Sequence, residues 1–417
     1  MVGTNPKFLT RGSGSDNRAG LRWAVLVFVI VPLSFVLVQC GRAPNPGLLA
    51  ANTQPTATAA SFDDRFPAPQ FKERFAGAES FSPRPAAEPS PRRAATAEPA
   101  PYRVASLAPQ LPYQRPTTRD EVTELVSLKS SAFPYLGNNP RTDTPFLNVS
   151  NGERRGHRTG QRVYWQDETY NDNRTLMHIP GTFDARKPGV IVLFFHGHGA
   201  TLERDVRDRQ LVPQQISDSA VNAVLLAPQL AVDAPDSSAG KFWQPGGLKR
   251  FMAESAEHLA RLYGDPRAAK AFANMPVVIV GYSGGFVPTA WSLEVGGLGK
   301  RVRGVFLLDA LYGELDKFAN WIENNRSAFF VSSYTRGTKR HDQELMRVLK
   351  DKNITIAEDM DGPLKPGSVV FIETGDGVRH RDYVTEAWTE LPVKEVLVKM
   401  AGTPALTKMA GGPSESR

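Results

Sequence analysis

Residues 276–291 read PVVIVGYSGGFVPTAW, and the fold is decided here. The β-branched run 277–280 sits between a proline and a glycine, which predicts a short strand buried on both faces, as in a parallel sheet. Gly281-Tyr282-Ser283-Gly284-Gly285 follows as a G-x-S-x-G pattern, and the apolar-rich 286–291 can open a helix. Strand, sharp turn and helix together lift a serine hydroxyl above the sheet, with the helix N-terminus beneath it. Such a hydroxyl can attack a carbonyl when a base takes its proton. The rival reading is a Gly-rich βα turn carrying a surface serine, as at a phosphate site.

Working outward, residues 189–195 (GVIVLFF), 221–227, 304–308 (GVFLL), 328–332 (AFFVS) and 368–373 (SVVFIE) are apolar runs of strand length. Helical spacing or polarity marks 201–211, 247–263, 315–324, 343–350 and 381–391 as helices between or after them. A short helix over 121–136 leads in, and 161–166 with 174–179 alternate as a hairpin-like pair of strands. Repeated strand–helix units predict an α/β domain over 121–400, a mostly parallel sheet covered by helices on both faces.

From about residue 189 to 397 this order of elements resembles the α/β-hydrolase superfamily. The GYSGG turn and the upstream Phe194-Phe195-His196-Gly197-His198-Gly199 are its most specific marks here. The resemblance implies active-site groups on loops at the carboxyl ends of strands, in the order Ser, Asp, His. Ser283 is then the nucleophile, Asp309 at the end of GVFLL the acid, and His380, eight residues after Ile372, the base. Serine needs the imidazole to become nucleophilic, and the imidazole needs the carboxylate to fix its tautomer. Many members carry the acid one strand later, but there the chain reads Ser333-Tyr334-Thr335, without a carboxylate. Glu373 and Asp376 are the fallback acids, and Asp309 as a turn cap is the alternative role. His341, in the basic stretch TRGTKRHDQ, is the competing base.

The HGHG segment resembles the superfamily's oxyanion segment, which implies the backbone N–H groups of His198 and Gly284 as donors to developing negative charge. The His196 side chain would brace the loop. An H-x-H metal pair is the other reading, although His157, His178 and His258 show no companion spacing with carboxylates. Tyr282, Trp243, Tyr312 and Trp321 are candidates for lining an acyl or alcohol pocket. No cofactor and no metal ion is required.

The chain has 417 residues and a formal charge of +7. Residues 1–120 carry 14 Lys/Arg against 8 Asp/Glu, and the remaining 36 basic and 35 acidic residues nearly cancel. Nucleic-acid binding by the folded part therefore has no electrostatic support. Cys40 is the single cysteine, which excludes an intrachain disulfide. A basic segment, 1–22, precedes an uncharged run, Trp23 to Val38, whose helical length of about 24 Å falls short of a hydrocarbon core of about 30 Å. Residues 23–40 thus read as a membrane anchor or signal segment, with the folded domain on the extracytoplasmic side. Leu37-Val38-Gln39-Cys40 resembles a bacterial lipoprotein cleavage site, with Gln39 where a small residue is usual. Residues 41–120, holding 14 of the 33 prolines and 17 alanines, are too poor in aliphatics to fold and predict a disordered linker. Residues 401–417 predict a disordered tail.

The expectation is an exported or membrane-anchored serine hydrolase acting on a small-molecule or polymer-borne carboxylic ester. Its membrane contact would run through residues 23–40, with no nucleic-acid partner. An amidase or peptidase with the same triad is one alternative. A catalytically inactive, hydrolase-like binding module of the cell envelope is the other.

Overall fold

The strand expected before the serine turn lies inside an eight-stranded sheet. Its members are β1 (Val122–Ser127), β2 (Arg174–Ile179), β3 (Val190–Phe195), β4 (Ala223–Pro228), β5 (Val277–Tyr282), β6 (Val302–Leu308), β7 (Phe329–Tyr334) and β8 (Val369–Glu373). The computed structural model describes residues 119–403. The expected anchor and almost all of the linker and tail lie outside the described residues. No helix among the described residues is long and apolar enough to cross a membrane.

The spatial order is β1-β2-β4-β3-β5-β6-β7-β8. β1 pairs antiparallel with β2, and β2 with β4, while the strands from β4 through β8 pair in parallel. Parallel strands covered on both faces must be apolar on both faces, which is why they appear in sequence as unbroken apolar runs. On β3, Ile191, Leu193 and Phe195 enter one core and Val190, Val192 and Phe194 the other. On β5, Val277 and Ile279 divide from Val278 and Val280 in the same way.

The covering helices are α1 (Val212–Asp218), α2 (Gly247–Leu262), α3 (Ala269–Asn274), α4 (Phe286–Val295), α5 (Leu315–Asn324), α6 (Lys339–Asp351) and α7 (Pro392–Ala401). Leu248 and Phe251 of α2, Phe272 of α3, Ala290 of α4, Phe318 of α5 and Leu345 of α6 fill the first core. Val212 and Ile216 of α1 and Val393, Val396 and Met400 of α7 fill the second. Burying one such Val, Leu, Ile or Phe side chain contributes about 1.5–3 kcal/mol. The mostly parallel, two-sided α/β architecture matches the fold class expected from the sequence.

Four local expectations are corrected. The lead-in segment is not a helix: Val122–Ser127 is an edge strand, paired from Val122↔Ile179 to Ser127↔Arg174. Its β-branched Val122, Thr123 and Val126 suit a pleated edge. The two segments expected as a hairpin do not pair with each other. Arg162–Trp165 instead pairs with Arg154–Thr159 across the two-residue turn Gly160-Gln161, in a separate three-stranded sheet completed by Val149–Asn151. Gly160 adopts the left-handed φ of 59° that this turn needs. β2 is buried along most of its length and so enters the main sheet between two strands. The segment expected as helix 201–211 forms a π-helical stretch, Leu202–Arg209. Residues 381–391 form no α-helix: a 3-10 turn, His380–Asp382, leads into turns and a lone Glu386–Glu390 bridge, and the last helix starts at Pro392, whose fixed φ and missing N–H suit the first helical position.

Candidate active site

β5 ends at Tyr282, and Ser283 turns the chain with a left-handed φ of 51° before the backbone enters α4. A non-glycine residue held there stores of order 1–3 kcal/mol of strain, and such strain persists where the surroundings enforce it. They do so here by close packing: a Cβ on Gly285 would lie 2.3 Å from the carbonyl oxygen of Phe195 at the end of β3. The Gly285 carbonyl also accepts a 2.8 Å bond from the Thr289 hydroxyl one turn along α4. Three segments therefore converge on a serine that the sheet cannot let relax.

Asp309 follows β6 directly and is likewise left-handed, at φ 43°. Its N–H donates to the Ser333 carbonyl at 2.8 Å, fixing it beside the end of β7. The carboxylate is fully buried. It accepts from the Thr335 N–H at 3.0 Å, from the Thr335 hydroxyl at 2.9 and 3.0 Å, and from the Thr338 hydroxyl at 2.9 Å. Burial pushes its pKa up, but the bonds from His380, Thr335 and Thr338 and the histidine's charge outweigh this, and the net pKa is lowered.

His380 arrives on the 3-10 turn after β8. Its Nδ1 lies 2.5 Å from Asp309 Oδ2, and its Nε2 lies 2.8 Å from Ser283 Oγ. Groups 71 and 97 residues apart along the chain thus meet at one rim. The Tyr282 ring stacks on the imidazole with centroids 5.3 Å apart, and the Tyr282 hydroxyl donates to the His380 carbonyl at 2.8 Å. Tyr312 meets the imidazole edge-on at 6.2 Å. Burial raises the pKa of both phenols, so they stay neutral beside the histidine.

The competing residues stand elsewhere. Glu373 forms an exposed ion pair with Lys339 at 2.6 Å, Asp376 is exposed, and His380 Nδ1 is already held by Asp309. His341 sits in the first turn of α6, with a buried Nδ1 that has no hydrogen-bond partner among the described residues. Trp243 packs on Tyr135 and Phe146 in the core, and Trp321 is buried on α5. Of the four candidate pocket aromatics, Tyr282 and Tyr312 are the two that contact His380.

The HGHG segment folds over the serine turn. A Cβ on Gly284 would lie 2.3 Å from the His198 ring, so the two residues expected to donate backbone N–H groups are in contact. Gly284 lies in a first helical turn, whose N–H groups have no intrahelical acceptor. The loop is pinned by the Gly199 N–H donating to the Ala234 carbonyl at 2.9 Å and by the His198 Nε2–Ser237 Oγ contact of 2.6 Å. Packing around the His198 ring lowers its pKa; Asp236 opposes this and His380 adds to it. His196 is buried with both nitrogens engaged. Nδ1 contacts the Gly197 carbonyl at 2.8 Å, and Nε2 accepts from the Leu230 N–H at 2.9 Å and the Gln229 amide at 3.0 Å. Burial pushes its pKa down to about 4, so this bracing ring is neutral.

The sequence reading missed Thr335 and Thr338. The one available signal was Ser333-Tyr334-Thr335 itself. The strand end noted for lacking a carboxylate supplies the hydroxyl and the N–H that hold the carboxylate of the neighbouring strand.

No protein-family model and no curated protein matches the chain. Solved structures similar to it include esterases and serine hydrolases. A ferulic acid esterase is 12% identical, with a TM-score of 0.38, the match covering 67% of this chain and 98% of that one. An S954A mutant of the feruloyl esterase module from Clostridium thermocellum, complexed with sinapinate, is 14% identical, with a TM-score of 0.36, covering 65% and 95%. An IroE-like serine hydrolase from Shewanella oneidensis is 8% identical, with a TM-score of 0.37, covering 67% and 79%. No specific family is singled out, and the chemistry of the site is read from its own geometry.

Proposed function

We propose that the protein is a serine hydrolase that cleaves carboxylic esters through Ser283, His380 and Asp309. The observation that carries this is the continuous pair of short contacts, Asp309 Oδ2 to His380 Nδ1 at 2.5 Å and His380 Nε2 to Ser283 Oγ at 2.8 Å. With Asp309 ionised, Nδ1 keeps its proton and Nε2 is left to accept one. Ser283 Oγ attacks the ester carbonyl while His380 Nε2 takes the hydroxyl proton. The tetrahedral oxyanion is met by the backbone N–H groups of His198 and Gly284. His380 then gives the proton to the departing alcohol, leaving Ser283 acylated. Water deprotonated by the same Nε2 attacks the acyl-enzyme, the Ser283 Oγ–acyl bond breaks, and His380 returns the proton to Ser283 as the acid departs.

The substrate is an ester of a small molecule or one borne on a polymer, and export or membrane anchoring through residues 23–40 belongs to the same proposal. Turnover of a p-nitrophenyl ester series by wild type, Ser283→Ala and His380→Ala tests it, with matched anilides as the amide arm. The proposal expects ester turnover in wild type and losses of at least about 10³-fold in both variants. Preference for anilides would transfer the reading to amides. Inactivity of a folded wild type on the whole panel would contradict hydrolysis. For the anchor, fractionation that finds the protein wholly in the cytosol would refute export.

A further inference from the structure

Behind Asp309 lies a second carboxyl group that the mechanism does not use. Asp342, in the first turn of α6, is fully buried. Its Oδ1 accepts from the Ser332 hydroxyl on β7 at 2.5 Å, and its Oδ2 has no hydrogen-bond partner among the described residues. Its N–H donates to the Thr338 carbonyl at 3.1 Å. The Thr338 hydroxyl donates to Asp309 Oδ1 at 2.9 Å, one helical turn before Asp342. A threonine hydroxyl has one proton to give and lone pairs with which to accept. Two ionised carboxylates would compete for that proton. A protonated Asp342 would leave it to Asp309.

We propose, on the strength of the serine-hydrolase reading, that Asp342 is a positioning residue held as a neutral carboxylic acid, so that Thr338 commits its proton to Asp309 and Asp309 in turn holds His380. The surroundings agree with a neutral group. Besides His341 on its own helix, Asp342 is faced by Asp309 at the end of β6, Tyr312 beyond it, Tyr334 on β7 and Tyr383 after β8. None of these four brings a positive charge. Burial pushes the Asp342 pKa up to about 7; the Ser332 and Thr338 hydroxyls oppose that rise and the Asp309 charge adds to it. An unpartnered buried oxygen is costly as part of a carboxylate and much less so on a neutral acid.

The test is the pH dependence of kcat/KM on a p-nitrophenyl ester for wild type, Asp342→Asn and Asp342→Ala, with difference infrared spectra of wild type and Asp342→Asn. Asparagine imitates the neutral acid: kcat should stay within about threefold. The ascending limb should coincide with that of wild type, because neither side chain then places a charge near the imidazolium. Alanine, which frees Thr338 and Ser332, should lower kcat by about tenfold or more. Near pH 6 the infrared spectrum of wild type should show a protonated-carboxyl carbonyl band that Asp342→Asn lacks. A limb displaced to lower pH in Asp342→Asn, equal losses of kcat in both variants, or a missing band would overturn the role of Asp342 alone. Absence of ester turnover in wild type would instead remove the hydrolase reading beneath it.

Discussion

Asp309 gathers its donors where the backbone bends out of β6: two from Thr335, one from Thr338 and the ring of His380. A carboxylate so held keeps its charge in a buried place and presents one oxygen to the imidazole. Asp309→Asn leaves the shape and removes the charge, so kcat should fall by about 10⁴-fold with KM little changed, as steady-state kinetics would show. A loss under about tenfold would mean that another acid serves. Thr335→Val removes one of those donors, and a fall in kcat of roughly 10-fold is expected. Ser283 and Asp309 were legible because each stands at the carboxyl end of an apolar run, His380 because it lies on the loop after one, and the resemblance supplied their order. Thr335, Thr338 and Asp342 were not. Hydroxyl residues follow strands everywhere, and only the packing of β7 against β6 tells which of them meets a carboxylate.

At the scale of elements, the close passage of the serine turn against β3 makes a sharp prediction. Gly285 has an ordinary helical φ of −64°, so Gly285→Ala adds one methyl group without backbone strain, yet that methyl meets the Phe195 carbonyl oxygen. Overpacking of this kind costs about 1–3 kcal/mol, measurable by urea unfolding, and an unchanged midpoint would show that the turn can relax. The parallel strands were readable because burial on both faces demands apolar side chains at every position. The edge was not so readable. Val122–Ser127 is at best half-buried, with Glu124 and Ser127 exposed, and its identity as a strand depends on β2, some fifty residues later. The same non-local pairing misled the hairpin expectation, since RVYW and RTLMHI both alternate and only one of them is buried along its length. The final helix was misplaced because the chain runs irregularly from Tyr383 until Pro392 starts α7.

For the whole molecule, two buried groups make stability depend on pH in opposite senses. His196 has a folded pKa of about 4 against about 6.5 unfolded, so its neutral form supports the fold fully above about pH 6.5 and progressively less as pH falls toward 4. Asp342 has a folded pKa of about 7 against about 3.9 unfolded, so its contribution is full in acid and lost as pH rises toward 7. Between about pH 4 and 6.5 the two slopes offset each other. Asp342→Asn removes only the second, and its stability relative to wild type should therefore grow by roughly 1 kcal/mol per pH unit from pH 5 to 7 in urea unfolding. A difference that stays constant with pH would mean that the group is ionised in the fold.

Underneath all of this lies a single polarised hydroxyl at the carboxyl end of β5. The most direct measurement is to treat the full chain with a fluorophosphonate, digest it and locate the adduct by mass spectrometry, with His380→Ala alongside. A phosphonylated Ser283 in wild type, and almost none in His380→Ala, is the predicted result. A folded wild type left unlabelled, or labelled at another residue, would contradict it.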